Sequence, residues 1–139
     1  MLSNTLNTNE VKNAAGTEIE FNHLSNSERA RVFYQIGEAP ALTHRLLINH
    51  QEIGSGLTKR RRSRVGFTKT VISTVDNVTP VTILVYKVVD APIGALLASS
   101  EIANVLAESM SFEASLGATT TILYDCTGNG AACLLNGSL

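Results

Sequence analysis

No stretch of the 139-residue chain approaches the roughly 20 consecutive apolar residues of a membrane-spanning helix, so a helical membrane anchor is not expected. The first residues, MLSNTLNTNE, lack the basic-then-apolar pattern of a secretion signal. The expectation is a soluble chain made in a cytoplasm. Cysteine is scarce, with only Cys126 and Cys133 in the segment DCTGNGAAC. That spacing is not CxxC, and no histidine pair accompanies it, so neither a redox motif nor a zinc site is indicated. Two reduced thiols near a flexible end fit the segment. A disulfide, within the tail or between subunits, fits it as well.

Catalytic signatures are also missing. There is no HExxH, no nucleophile elbow and no phosphate loop. Of the three histidines, His44 and His50 fall on one predicted strand and one face. Their spacing puts them roughly 20 Å apart, too far to share a metal ion. Gly54-Ser55-Gly56 reads as a hairpin turn, and Glu18 and Glu20 as the solvated side of an alternating strand. No enzyme activity, cofactor or metal is expected.

What is present points to a folded β-rich domain. Hydrophobic residues make up 44% of the chain, which excludes a disordered one. The length suits one domain. A domain this small buries only about two-thirds of its unfolded surface, so contacts between copies should matter. Leu6 to Val11, a turn at Asn13–Gly16, and Thr17 to Phe21 read as an N-terminal hairpin. Asn22 to Ser27 reads as loop. Strands are expected at Arg31–Ile36, Leu42–Glu52, Arg61–Val75 and Val81–Val89, the last dense in β-branched residues. The period then changes. Ile102, Val105, Leu106 and Met110 recur at helical spacing, with Ser99 or Ser100 as N-cap and Gly117 as a stop. A start near Pro92 is an alternative that Gly94 weakens. Thr119 to Tyr124 reads as a short strand, and the Gly- and Asn-rich end as loop. Strands followed by helix make an α+β domain with an antiparallel sheet.

The net charge of −1 hides an uneven distribution. Lys59, Arg60, Arg61, Arg62, Arg64 and Lys69 lie in one acid-free stretch. After Lys87 there is no Lys or Arg, whereas Asp90, Glu101, Glu108, Glu113 and Asp125 follow. Local charge governs the binding of a polyanion more than the total does. Alternation along a strand puts Arg60, Arg62, Arg64, Gly66, Thr68 and Thr70 on one face and Ser63, Val65, Phe67, Lys69 and Val71 on the other. The first set suits a phosphate backbone, which arginine forks bind through charge-assisted pairs. On the preceding strand, Arg45, Asn49 and Gln51 share a face, and the two amides can read base edges. A solvated hairpin edge that deters aggregation is the plainer reading of the same run.

The segments GEAPALTHRLLINHQ, KRRRSRVGFTKTVIS and VTILVYKVV, in that order, resemble the coat proteins of small single-stranded RNA bacteriophages of the levivirus type. The resemblance covers about residues 5–117. It implies an N-terminal β-hairpin (1–23), a five-stranded antiparallel sheet (31–89), a helical dimerisation segment (92–117) and a tail (118–139). It further implies an interlocked homodimer in which Ile102, Val105, Leu106 and Met110 lie over the partner's sheet. Such dimers build an icosahedral shell, so the location implied is the virion. The implied partner is single-stranded genomic RNA, held on the inner face by Arg45, Asn49, Gln51, Lys59, Arg60, Arg62, Arg64 and Thr68. Translational repression through an RNA hairpin goes with the resemblance. Leu47, however, stands where the family grips a flipped adenine, and Tyr86 has no secure match to its stacking tyrosine. A cellular β-sheet RNA-binding module is the alternative.

Overall fold

A computed structural model describes residues 2–96, 99–117 and 121–137. The chain divides into two units, Met1–Glu10 with Ile19–Leu97 and Val11–Glu18 with Ala98–Leu139.

The first unit is a six-stranded antiparallel sheet in sequence order. Its strands are β1 (Thr5–Leu6), β2 (Phe21–Ser27), β3 (Ala30–Gln35), β4 (His44–Ile53), β5 (Arg60–Ile72) and β6 (Pro80–Pro92). The hairpin and the main sheet are continuous, because β2 pairs with both β1 and β3. The expected loop at Asn22–Ser27 is therefore strand. Its polar composition carries little strand propensity, but Phe21 anchors it in the core and β3 supplies its ladder, with a register shift between His23 and Ser25. Tertiary pairing outweighs local preference here. The expected strand at Leu6–Val11 contracts to two residues, since Asn9 turns the chain at φ 68°. Of Thr17–Phe21, Glu18 forms only an isolated bridge to Lys12.

One face of the sheet carries the core. Leu6, Phe21, Phe33 and Leu46 are buried there, and Phe21 meets Phe67 and His44 edge-on. The same face continues across Val65, Val81, Ile83 and Val85, which stay exposed, Val85 by 63%. Between β5 and β6 the loop is pinned by Asp76. Its carboxylate accepts from the Thr79 hydroxyl and from the Val78 and Thr79 amides, and these bonds hold its pKa down to about 2. Val75 and Val78 project from that loop into solvent.

The second unit contains α1 (Ser99–Ala114) and α2 (Asn129–Asn136). Pro92 ends β6, which removes the alternative helix start there. Both candidate capping serines lie within α1, and the residue before Ser99 lies outside the described residues. Gly117 takes φ 87°, as a stop requires. Ile102 and Leu106 are half-buried, whereas Val105, Met110 and Phe112 are exposed. The expected loop near the C-terminus is helix α2. Its Gly130 and Ala131 are buried, and a Cβ at Gly130 would stand 2.2 Å from the Phe112 carbonyl oxygen. Close backbone approach, invisible as periodicity, explains the small residues. Of the expected strand at Thr119–Tyr124, Ile122 bridges Ser115 and residues 118–120 lie outside the described residues. Cys126 is exposed and Cys133 half-buried.

His44 is a core histidine rather than a ligand. Its Nδ1 pairs with the Gln35 amide oxygen at 2.7 Å, and its ring meets Phe21. Burial lowers its pKa, Lys69 adds to the effect and Glu38 opposes it. The unfolded chain therefore takes up this proton more readily. Stability from the neutral ring is present above the ordinary value of about 6.5 and is lost as pH falls through the lower folded value. Melting temperatures should thus fall more for the wild type than for His44→Gln between about pH 7.5 and about pH 5. Parallel curves would remove this role.

Candidate nucleic-acid interface

The register of β4, β5 and β6 assembles the other sheet face. Arg45 lies opposite Thr68, Leu47 opposite Gly66, Asn49 opposite Arg64 and Gln51 opposite Arg62. Across the next ladder Gly66 faces Tyr86, Arg64 faces Val88, and Arg62 faces Asp90. Strand alternation then places Arg45, Asn49, Gln51, Arg60, Arg62, Arg64 and Thr68 together. Lys59 does not join them. It precedes β5 with the opposite parity and pairs with Glu52 at 2.6 Å, alongside Arg29 and Arg61. Those three cations, Lys59 foremost, hold the Glu52 carboxyl at about 2.

Four guanidiniums share the face with two carboxylates. Arg45 bridges Glu38 at 2.6 Å and lies 5.8 Å from the Tyr34 ring centroid. Glu38 also accepts from the His44 amide, so one residue of the β3–β4 connection fixes the start of β4. Asp90 takes both Arg60 (2.7 Å) and Arg62 (2.9 Å), which together lower its carboxyl pKa, Arg60 more than Arg62. Arg64 has no carboxylate partner among the described residues. Its guanidinium carbon sits 4.6 Å from the Tyr86 centroid, and its buried Nε has no hydrogen-bond partner.

Tyr86 thus lies on the basic side of the sheet, beside Arg64. Sequence alternation alone could not phase β6, because both of its faces are apolar. Asp90, four residues on and of the same parity, was the available signal, since an acid opposite a basic run is a natural cross-strand partner. Tyr34, Glu38 and Asp90 were not singled out from the sequence.

Asn49, Gln51, Arg62, Arg64, Leu84, Tyr86 and Val88 line a depression of about 470 Å³. Gly66 beside it leaves the Tyr86 ring uncovered by any side chain of its own. The arrangement offers forked cations, two amides and an aromatic plane on a rigid sheet. These are the groups that bind phosphates, base edges and base faces in single-stranded nucleic acid. No cluster of metal-binding side chains occurs among the described residues.

No protein-family profile matches the chain, and no curated protein does. Solved structures do match. The bacteriophage EMS014 coat protein superposes with a TM-score of 0.65 at 12% identity, covering 87% of both chains. The virus-like particle of Beihai levi-like virus 32 gives a TM-score of 0.55 at 20% identity, covering 68% of this chain and 75% of its own. That of bacteriophage AVE015 gives 0.55 at 16% identity, covering 86% and 80%. The fold is that of the levivirus coat proteins. In this chain the coat-protein sheet is built with its six strands in sequence order and two helices after them.

The Arg64–Tyr86 stack should be measurable by a double-mutant cycle. Unfolding free energies of Arg64→Ala, Tyr86→Ala and the double variant are expected to give a coupling of about 0.5–1 kcal/mol. Strict additivity would show that the two groups do not interact.

Proposed function

We propose that the chain is a non-enzymatic shell protein of a small RNA bacteriophage. It assembles as homodimers into an icosahedral particle and holds single-stranded genomic RNA against the Arg45–Tyr86 face. It is made in the cytoplasm of the host and ends in the virion. The observation that carries this reading is the gathering of Arg62, Arg64, Asn49, Gln51 and Tyr86 around one depression on a coat-protein sheet. Arg45, Arg60 and Thr68 extend the same face. RNA lies along it with phosphates on the guanidiniums and a base against Tyr86. Leu47, half-buried opposite Gly66, offers no polar grip on a base. Genome binding by charge and stacking is therefore favoured over a strongly hairpin-specific contact, and translational repression is the less supported part.

The dimer follows from uncovered apolar surface. Val81, Ile83 and Val85 on the sheet and Val105 and Met110 on α1 are all exposed. Residues of this kind seldom stay in water over a contiguous patch. A second copy covers them if the helices of each subunit lie over the partner's sheet. β6, an edge strand of 13 residues, then pairs with its counterpart instead of standing open to aggregation.

Electron microscopy of the protein expressed alone in bacteria should show uniform closed particles, with an absorbance ratio indicating RNA. Small RNA-binding species without particles would point instead to a cellular RNA-binding module. Arg62→Ala and Arg64→Ala should lower the RNA content and leave dimers intact. Arg64→Ala should also flatten the dependence of log affinity on log salt by about 0.7, the share of one single-strand phosphate. RNA retention that ignores both variants and salt would count against this face. For the dimer, sedimentation of Val105→Asp/Met110→Asp should report folded monomers. An undiminished dimer would refute the helix-over-sheet arrangement.

A further inference from the structure

We propose that Asp90 is an intramolecular competitor for the RNA phosphate, setting the affinity of the basic face below what its arginines would otherwise reach. The inference rests on the RNA-binding reading above and deepens it.

The geometry around Asp90 is specific. Arg62 turns both Nε and Nη2 onto Oδ2, at 3.3 and 2.9 Å. Arg60 gives Nε to Oδ1 at 2.7 Å and Nη2 to the Asp90 carbonyl oxygen at 2.9 Å. The Nε–Nη2 edge of a guanidinium is one of the edges that bind a phosphate through two parallel bonds. Asp90 occupies that edge on both arginines at once. A phosphate reaching them finds only the Nη1–Nη2 ends of the two forks, or must displace the carboxylate from the Nε–Nη2 edge. Displacement is feasible because the trio is open to water, with the two arginine side chains about half exposed, 48% and 50%. An exposed pair of this kind is weak, so it yields to a polyanion.

The contrast with Arg64 supports the assignment. Two strand positions from Arg62, Arg64 meets no carboxylate among the described residues and lies over Tyr86, with its Nε buried. Asp90 therefore holds two guanidiniums of the face and Glu38 a third, while Arg64 is restrained by an aromatic ring instead of a carboxylate. A shell protein benefits from this division. Loose initial binding lets RNA rearrange before the contacts multiply over many copies.

The test compares three full-length proteins for binding to a labelled single-stranded RNA oligonucleotide across a salt series. These are the wild type, Asp90→Asn and Glu52→Gln. The last removes the same charge from a cluster on the opposite sheet face. Asp90→Asn should bind about two- to fivefold tighter at low salt. Its salt dependence should steepen by about 0.7, as one more phosphate is neutralised. Glu52→Gln should match the wild type. Equal or weaker binding by Asp90→Asn, with salt-dependent binding by the wild type, would overturn the competitor and leave the RNA face standing. An equal gain in both variants would also overturn it, by showing a general charge effect. Wild-type binding that ignores salt would remove the RNA face itself, and the competitor with it.

Discussion

The period-two alternation of β5, held in register by β4 and β6, is the constraint on which the other features rest. It sends Arg60, Arg62 and Arg64 to one side and Ser63, Val65 and Phe67 to the other. Two ladders, His44–Ile53 against Arg60–Lys69 and Arg60–Ile72 against Pro80–Pro92, hold that phase. A slip of one residue would turn the β5 arginines toward Phe21 and Leu46 and leave Val65 and Phe67 in water. Both the buried cluster and the basic face therefore depend on one register. The core specifies it, because Phe21 and Phe33 are wholly buried and Leu46 nearly so.

Charge on the two faces is organised by opposite means. On the basic face, the carboxylates of Glu38 and Asp90 restrain three guanidiniums and leave Arg64 to an aromatic ring. On the other face a single acid, Glu52, draws Arg29, Lys59 and Arg61 together. The exposed pairs around Asp90 and Glu52 contribute little to stability. Their effect is positional. They decide which cations point along the sheet, and which donor edges stay open to a polyanion.

The helical unit follows a different logic. In α2 the packing comes from small residues that let two backbones approach, as at Gly130 against Phe112. In α1 the larger apolar side chains Val105, Met110 and Phe112 point into solvent. Together with the uncovered valines and isoleucine of β5 and β6, they make a folded chain with more apolar surface exposed than a solitary protein usually keeps.

Much of the fold could be read directly from residue order. The strands from Arg31 onward, the change to helical period at Ile102 and the grouping of Arg45, Asn49, Gln51, Arg62 and Arg64 all follow from alternation, because side-chain direction in a strand depends only on position parity. Tertiary structure alone decided what parity cannot reach. Asn22–Ser27 became strand because β3 was there to pair with it, and Gly130–Ala131 became helix because a backbone lay close enough to need small residues. Tyr86 was assigned to the basic face by the ladder with β5, since β6 is apolar on both sides and carries no phase of its own. Lys59 left the basic set because it stands one position outside the even-numbered run, opposite in direction, with Glu52 waiting on that side. Local sequence determines which way neighbours point relative to one another. Only pairing with distant strands determines which of the two directions is the core.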